Sequence, residues 1–265
     1  MSGHSKWNNI KRKKEKTDGQ RAKIFTKIGR EIAVAVKEGG SPDPAANSKL
    51  KDAIAKAKAN NVPNDNIDRI IKKAAGEGNA DNYEALQYEG YGPCGVAILC
   101  EALTDNRNRT AADVRAAFTH AGGNLGTSGS VSYMFERKGQ IMVPKEIETG
   151  DKKHPMGPNG AAADEEEFEM AVIEAGGDDY EDADEEWIVY TQPSDLMAVK
   201  KALEEQGVQV KGAEMTMEAT TPATVTANDA KKVMRLVDKL EELEDLQNVY
   251  HTMDITEEIA AALDE

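Results

Sequence analysis

The hydrophobic residues in the first third of the chain recur every three to four positions, which is the spacing of one face of an α-helix. A capping box at Thr17 to Gln20 begins the first run, and Gly39-Gly40 ends it. Two shorter runs follow, over Leu50 to Ala57 and over Ile67 to Ala74. The pattern therefore predicts three helices with short loops between them, packed as a small bundle.

From Tyr83 onward the pattern changes to short strands that alternate with helices. Gly95 to Cys100 is an apolar run typical of a buried strand. Thr110 to Asp113 predicts the N-cap of a helix, and Ser130 to Phe135 is predicted to be the next strand. This β-α-β unit has too few strands to form an independent sheet.

A second group of strands and helices follows, and its order predicts a ferredoxin-like fold. The segments are the strand Gln140 to Val143, an acidic helix through Phe168, Val172 and Ile173, the strand Trp187 to Thr191, a helix through Leu196, Val199 and Leu203, and the strand Val208 to Glu218. If Asp178 to Asp184 supplies the second strand, the order is β-α-β-β-α-β. The segment from Thr149 to Ala163, which is rich in proline and glycine, is predicted to be a loop.

At the end of the chain, Thr226 to Asp229 predicts the cap of a long helix through Leu243, and Asn248 to Ile255 predicts a strand. Because this unit is too small to stand alone, we expect it to join the β-α-β unit in one domain. The predicted fold class is α+β, with an N-terminal three-helix domain and two α/β domains, one ferredoxin-like and inserted in the other. The predicted domains are residues 1–78, residues 79–136 plus 221–265, and the inserted residues 137–220.

Charge is divided unevenly along the chain. The whole sequence has 33 Lys plus Arg and 48 Asp plus Glu, a net charge of −15, which by itself argues against a polyanion partner. Residues 1–78, however, hold 18 basic and 9 acidic side chains, net +9, and residues 79–265 hold the other 15 basic and 39 acidic ones, net −24. The sequence therefore predicts a basic head, where a phosphate backbone could bind, on an acidic body.

The basic head begins with an arm that combines cations and a tryptophan. Extended from His4 to Lys16, the arm spans about 40 Å, and a stack of Trp7 on an unpaired base contributes about 1 to 3 kcal/mol. The predicted nucleic-acid-binding residues are Lys6, Trp7, Lys11, Arg12, Lys13, Lys14, Lys16, Arg21, Lys23, Lys27, Arg107 and Arg109. Further cations expected on the solvent-facing sides of the helices are Arg30, Lys49, Lys51, Lys56 and Lys58.

The two arginines outside the head belong to TDNRNRT, residues 104–110. This loop follows a buried strand and precedes a helix, a place where binding residues often lie. A local Asx-turn network, in which Arg109 pairs with a nearby acid, is an equally good interpretation. Tyr88 and Tyr91, which lie beside glycines and Pro93, are expected to pack in a turn, with base stacking as the weaker alternative.

Catalytic motifs are missing from the sequence, since it has no G-x-x-x-x-G-K-[ST], H-E-x-x-H or G-x-S-x-G. No catalytic residue, cofactor or metal ligand is predicted. GGNLGTSG, residues 122–129, is interpreted as a helix C-cap and a turn, with a phosphate loop as the weaker alternative. Cys94 and Cys100 lack a second pair, which favours a reduced, cytoplasmic protein without a zinc site. No apolar run approaches the roughly 18 residues of a membrane span, so no membrane partner is expected.

Six motifs carry a family resemblance, and they occur in the order GHSKWNNIK, AVKEGG…DP, NNVPNDNI, YEGYGPCGVAIL, LTDNRNRT and GSVSYMFERKG. The sequence resembles the YebC/PmpR family, whose mitochondrial relatives include the translational activator of cytochrome c oxidase subunit I. The matching motifs are highly specific from residue 3 to about residue 140, and the resemblance is diffuse after that point. The resemblance implies a three-domain cytoplasmic protein that binds nucleic acid, either as a DNA-binding transcriptional regulator or at the ribosome, where it relieves stalling on sequences such as proline runs.

The charge division favours RNA among these targets. An acidic body of net −24 is repelled by nucleic acid laid along it, so contact is expected to be confined to the head and the two-arginine loop. This polarity favours ribosomal or messenger RNA on a ribosome over duplex DNA, which is the second alternative. A monomer without enzymatic activity is expected. An enzyme or small-ligand binder is a third alternative that rests on the glycine run and the fold type alone.

Overall fold

The computed structural model describes residues 18–76, 83–149, 152–155, 165–183 and 186–264. Its Cα positions divide these residues into two compact units, one of residues 135–221 and one that combines the preceding residues with 222–264. The α+β fold class is confirmed, with an N-terminal helical part and two four-stranded sheets. The division into three domains with boundaries at 78, 136 and 220 stays a prediction. None of the described helices is both long and apolar enough to cross a membrane.

The described residues form eight α-helices and ten strands. In order they are α1 (Asp18–Glu38), α2 (Ser48–Ala59), α3 (Asn64–Ala75), β1 (Glu84–Tyr91), β2 (Ala97–Thr104), α4 (Arg107–His120), β3 (Asn124–Leu125), β4 (Phe135–Pro144), β5 (Glu146–Thr149), β6 (Lys152–Pro155), α5 (Glu165–Ala175), β7 (Asp179–Ala183), β8 (Glu186–Thr191), α6 (Leu196–Glu205), β9 (Gly212–Ala219), α7 (Ala227–Glu241), β10 (Leu246–His251) and α8 (Glu257–Asp264).

The three N-terminal helices form the bundle that the hydrophobic spacing predicts. Ile32, Leu50 and Ala57 are completely buried where α1, α2 and α3 pack together. Asn47 fixes the turn between α1 and α2, because its side chain accepts a hydrogen bond from the backbone N–H of Leu50 and donates one to the carbonyl of Ala35. The bundle core therefore consists of the residues that recur at helical spacing.

The first sheet has the strand order β10-β2-β1-β3, and every neighbouring pair is antiparallel. Its central strand β2 is fully buried from Ala97 to Cys100, in agreement with the apolar run. Helices α4 and α7 also lie in this unit, with Val114, Phe118, Leu236 and Leu240 buried. The C-terminal strand thus completes a sheet begun in the middle of the chain, as predicted from the shortage of strands.

The second unit has the ferredoxin-like topology. Its strands β4, β7, β8 and β9 form an antiparallel sheet of order β7-β8-β4-β9, connected as β-α-β-β-α-β by α5 and α6. Phe168 of α5 stacks on Trp187 of β8, with ring centroids 5.0 Å apart, in a core that also contains Ile141 and Leu203. Within the predicted loop from Thr149 to Ala163, β6 pairs with β5 in a short hairpin.

Three local predictions near the first sheet are wrong. Helix α4 begins at Arg107 with Asn106 as its N-cap, so Thr110 lies inside the first turn and caps nothing. The segment Ser130 to Phe135 is mostly turn and 3₁₀-helix, and the strand begins only at its last residue. Tyr88 and Tyr91 belong to β1 and not to a turn. In each case strand pairing or a capping side chain, which local spacing does not reveal, decides the conformation.

Several element ends also differ from the predicted ones. Helix α7 ends at Glu241, before Leu243, and the last strand begins two residues before Asn248 and ends at His251. Strand β9 begins at Gly212, four residues after the predicted start. Helix α8, near the C-terminus, was not predicted. The cap of α7 is confirmed, because the Thr226 hydroxyl accepts a hydrogen bond from the backbone N–H of Asp229.

Candidate nucleic-acid interface

Most of the predicted arm contacts cannot be placed on the fold. Lys6, Trp7, Lys11, Arg12, Lys13, Lys14 and Lys16 lie outside the described residues. Arg21 lies in α1, but its side chain is outside the described part. Binding of nucleic acid by these residues stays a prediction.

The described cations of α1 differ in their surroundings. Lys23 is exposed to solvent. Lys27 donates a hydrogen bond from Nζ to the backbone carbonyl of Glu241 at 3.0 Å. Arg30 was expected on a solvent-facing side, but only 12% of its side chain is exposed, because Nη1 donates to Asp245 Oδ1 at 2.7 Å. The amphipathic pattern of the helix placed Arg30 in solvent, which is wrong. Its partner Asp245 lies 215 residues later in the chain, so the local pattern could not reveal the contact.

The TDNRNRT segment forms the cap of α4. The side-chain oxygen of Asn106 accepts a hydrogen bond from the backbone N–H of Arg109 at 3.1 Å. Arg109 also donates from Nη2 to Asp105 Oδ1 at 2.8 Å, an ion pair between residues four apart. The Asx-turn interpretation of this segment is therefore confirmed. Both predicted arginines lie in the first turn of the helix and not in a free loop.

Asp245 is the common hydrogen-bond acceptor for the polar side chains around this cap. Its carboxylate accepts hydrogen bonds from the Thr110 hydroxyl at 2.6 Å, from Arg109 Nη2 at 2.9 Å and from Arg30 Nη1 at 2.7 Å. Burial alone would raise the pKa of Asp245, but the hydrogen bonds from Thr110 and Arg109 and the charge of Arg30 lower it below the ordinary aspartate value. We call Asp245 with Arg30, Arg109 and Thr110 the Asp245 hub.

The two predicted arginines differ in how much charge they present to solvent. Arg107 has 67% of its side chain exposed and lies 3.9 Å from Glu84 Oε2, a distance at which an exposed pair contributes little. Arg109 has 47% of its side chain exposed and is held by two carboxylates. Of the pair, Arg107 is the better placed to meet a phosphate, and binding by either residue stays a prediction.

The last glycine of the glycine run and the residues that follow it bind the carboxylate of Glu89. Glu89 of β1 is only 3% exposed, and its carboxylate accepts hydrogen bonds from the backbone N–H groups of Gly129, Val131 and Ser132 at 2.7 to 2.8 Å. Burial would raise the pKa of Glu89, but these N–H groups lower it. Backbone amides of the kind that hold a phosphate are thus occupied by the chain's own carboxylate. Helix α4 ends in the predicted C-cap, with Gly122 at φ +77°.

The two cysteines are free thiols in different surroundings. Cys94 is exposed and Cys100 is buried in β2. Partial desolvation raises the pKa of the Cys94 thiol, and a hydrogen bond to Asp229 raises it further. A raised pKa keeps the thiol protonated, which is the opposite of what a nucleophile needs. Within the described residues, no group of three or more His, Cys, Asp or Glu side chains could hold a metal ion.

Basic residues of α3 were missed by the sequence analysis. Arg69 and Lys73 lie one turn apart and line a groove between α3 and α1, together with Arg30 and Lys37. The pattern Arg-x-x-x-Lys at helical spacing was the available signal. Its two cations are a weaker signal than the denser charge of the arm.

Comparison with known proteins assigns almost the whole chain. A model of the TACO1/YebC N-terminal domain matches residues 5–77, and a model of the TACO1/YebC second and third domain matches residues 83–253. The match therefore continues well beyond residue 140, where the motif resemblance became diffuse.

Related proteins and a crystal structure agree with the family models. A probable transcriptional regulatory protein of Lachnoclostridium phytofermentans is 54% identical over 255 residues, which cover 96% of this chain and 100% of the relative. One of Acetivibrio thermocellus with the same name is 52% identical over 95% of this chain and 98% of the relative. The crystal structure of a conserved hypothetical protein from Aquifex aeolicus is 44% identical with a TM-score of 0.78, covering 91% of this chain and 93% of that one. The chain belongs to the TACO1/YebC family.

Proposed function

We propose that this protein is a non-enzymatic regulator of gene expression that acts by binding nucleic acid in the cytoplasm as a monomer. Relatives that share about half of its residues over nearly the full chain are named probable transcriptional regulatory proteins. The sequence supplies the matching physical feature, a head of net +9 followed by a body of net −24. This division of charge is the observation that carries the proposal, because it restricts attraction for a polyanion to one end of the chain.

For the target we propose structured RNA on the ribosome. A body of net −24 is repelled by a duplex laid along it, whereas a basic head can enter between RNA helices while the body stays in solvent. The basic arm, with Trp7 among its cations, suits unpaired RNA, where aromatic side chains stack on exposed bases. In this role the protein would act in translation and relieve stalling.

A DNA-binding transcriptional regulator is the second candidate, and the names of the relatives favour it. Such a regulator must prefer one duplex sequence over others by several kcal/mol, typically about 4 to 10. Equal affinity for a candidate promoter fragment and its scrambled duplex, measured at physiological salt, would remove this candidate.

Crosslinking in cells followed by sequencing of the bound nucleic acid separates the two candidates. We expect ribosomal RNA to be enriched for the full-length chain and to be lost from a variant without residues 1–16. Enrichment of promoter DNA without RNA would replace the first candidate by the second. If neither nucleic acid were enriched over an uncrosslinked control, the proposed function would be wrong in both forms.

The salt dependence of RNA affinity tests the arm directly. If its six cations, Lys6, Lys11, Arg12, Lys13, Lys14 and Lys16, each meet a single-strand phosphate, the logarithm of affinity falls with the logarithm of salt at a slope of about −4. The variant without residues 1–16 should have a correspondingly shallower slope. An unchanged slope would mean that the arm does not contact the RNA.

A further inference from the structure

A groove of about 370 Å³ runs between α1 and α3 in the helical bundle. One helix face supplies each wall, since the α1 and α3 residues in it recur at helical spacing. The lining residues are Phe25, Thr26, Gly29, Arg30, Ala33, Lys37, Val62, Asn66, Arg69, Ile70, Lys73, Ala74 and Tyr83. The groove lies wholly within one compact unit, so its shape is set by the packing of the bundle itself.

Among the described residues, the lining of the groove carries positive charge and no carboxylate. Four of the thirteen described lining residues are cationic, and none of the thirteen is aspartate or glutamate. Arg30 directs its charge to the Asp245 hub, but Arg69 is exposed and its described hydrogen bond goes to the neutral side-chain oxygen of Asn66 at 3.0 Å. Lys73 is exposed one helical turn further along α3. The groove therefore attracts anions.

The floor of the groove is apolar and partly aromatic. Phe25 and Ile70 are half-buried members of the bundle core, and Tyr83 lies at the groove with the Arg30 guanidinium 5.6 Å from its ring centre. Gly29 allows this floor to form, because a Cβ atom there would lie 3.1 Å from Ile70 Cδ1. An anionic ligand that also has a flat apolar face therefore fits better than a simple ion.

We infer that this groove binds one nucleotide of a single-stranded nucleic acid, with its phosphate on Arg69 and Lys73 and its base against the apolar floor. The inference rests on the proposed function and gives that function a binding site on the bundle, separate from the arm. A volume of about 370 Å³ is at the small end of ligand pockets, which begin near 300 Å³, and suits a single nucleotide. An acidic peptide shares the charge but lacks the flat ring for the floor.

The test measures how tightly the full-length chain binds a fluorescein-labelled 12-nucleotide polyuridine RNA, by fluorescence anisotropy in 0.15 M salt. The groove variant is Arg69→Glu with Lys73→Glu, and the matched control is Lys51→Glu with Lys58→Glu. The control makes the same change of charge on exposed residues of α2, outside the groove lining. All four side chains are exposed, so both variants should keep the fold, which circular dichroism checks.

We expect the groove variant to weaken RNA binding about tenfold or more and the control about threefold or less, since charges beyond a Debye length of about 8 Å are largely screened. Equal losses in the two variants would overturn the groove site while leaving the proposed function intact. If the unmodified chain did not bind this RNA, the groove site would be wrong, whereas the proposed ribosomal target is decided separately by the crosslinking experiment.

Two further measurements examine the base and the ligand class. A 12-mer in which abasic units replace uridines should bind the unmodified chain more weakly than polyuridine, and this preference should shrink in the groove variant. A preference that is the same in both proteins would overturn the role of the floor. A 12-residue polyaspartate that displaces the labelled RNA as well as unlabelled polyuridine does would overturn the nucleotide in favour of an acidic peptide.

Discussion

Neutralising the carboxylate of the Asp245 hub should destabilise the unit that contains the helical bundle and the first sheet. Asp245→Asn keeps the side-chain shape but removes the negative charge that meets Arg30 and Arg109. Only 9% of the Asp245 side chain and 12% of the Arg30 side chain are exposed, so solvent cannot replace the lost partner. The mostly buried guanidinium of Arg30 would keep only the exposed carboxylate of Glu244, 3.5 Å from Nη2, as a counter-charge.

The size of the effect follows from the surroundings of each partner. Removing one member of a buried ion pair costs about 3 to 5 kcal/mol, and we take about 2 to 3 here because Arg30 keeps its weaker ion pair with Glu244. The weakened hydrogen bond from the buried Thr110 hydroxyl adds about 1 kcal/mol. Arg109 is nearly half exposed and adds about 0.5 kcal/mol at most. Together the substitution should lower the free energy of unfolding by about 3 to 4 kcal/mol.

Urea denaturation followed by far-ultraviolet circular dichroism measures this loss, and hydrogen–deuterium exchange of β2 and β10 locates it. Arg109→Gln is the control and should cost less than about 1 kcal/mol. A double-mutant cycle of Asp245→Asn with Arg30→Gln should give a coupling energy of about 2 kcal/mol. Because the folded-state pKa of Asp245 is lowered, its contribution is present at neutral pH and disappears as the pH falls below about 4.

Three results would refute this reasoning. The first is a loss below about 1 kcal/mol for Asp245→Asn, which would show that solvent or a neighbour screens Arg30. The second is a coupling energy near zero, which would show that Arg30 and Asp245 are close but independent. The third is a difference between wild type and Asp245→Asn that stays constant from pH 7 to pH 3, since the lowered pKa requires it to shrink.

Three further substitutions test two buried polar groups and one helix cap. Burial lowers the pKa of His251 to about 4, so the contribution of its neutral form to stability is fully present above pH 6.5 and decreases as the pH falls. Between pH 7 and pH 5, the free energy of unfolding from urea denaturation should therefore fall by about 2 kcal/mol less in His251→Asn than in wild type. An identical pH dependence in both proteins would contradict this. Glu89→Gln places an amide N–H₂ against backbone donors and should cost about 2 kcal/mol at pH 7; a melting temperature equal to that of wild type would show that the loop rearranges. Asn106→Ala removes the cap of α4 and should cost about 1 kcal/mol in the same assay, and Asn108→Ala is its control; equal costs would exclude the cap as the cause.

The elements that could be predicted from the sequence are those whose buried side chains recur at a regular spacing. The three helices of the bundle, the buried strand β2 and the alternation of the ferredoxin-like unit were predicted because each buries one face at a fixed spacing. The uneven distribution of charge also follows from the sequence alone, because it requires only a count of charged residues along the chain. The motifs gave the family, which the comparisons confirm.

Elements without such a period were missed. Strand β1 contains Gly90 and polar residues, and its extended form is fixed by pairing with β2 on one side and β3 on the other. Asn106 was not predicted as a cap because Thr110 offers a similar local pattern four residues later. The Asn106 side chain caps the backbone N–H of Arg109, whereas the Thr110 hydroxyl donates to Asp245, a partner 135 residues later that local spacing does not reveal.

The partners of the buried polar residues became known only from the fold. Arg30 has the spacing of a solvent-facing residue, and it is buried because chain folding brings Asp245 within 2.7 Å of it. The glycine run matched a phosphate loop, but the backbone N–H groups of Gly129 and of Val131 just after it donate to the carboxylate of Glu89 in β1. Hydrophobic burial depends mainly on local periodicity, whereas the pairing of a buried charge depends on a contact across about 40 to 215 residues. The buried hydrophobic faces could therefore be predicted from the sequence, whereas the partners of the buried charges had to be observed in the fold.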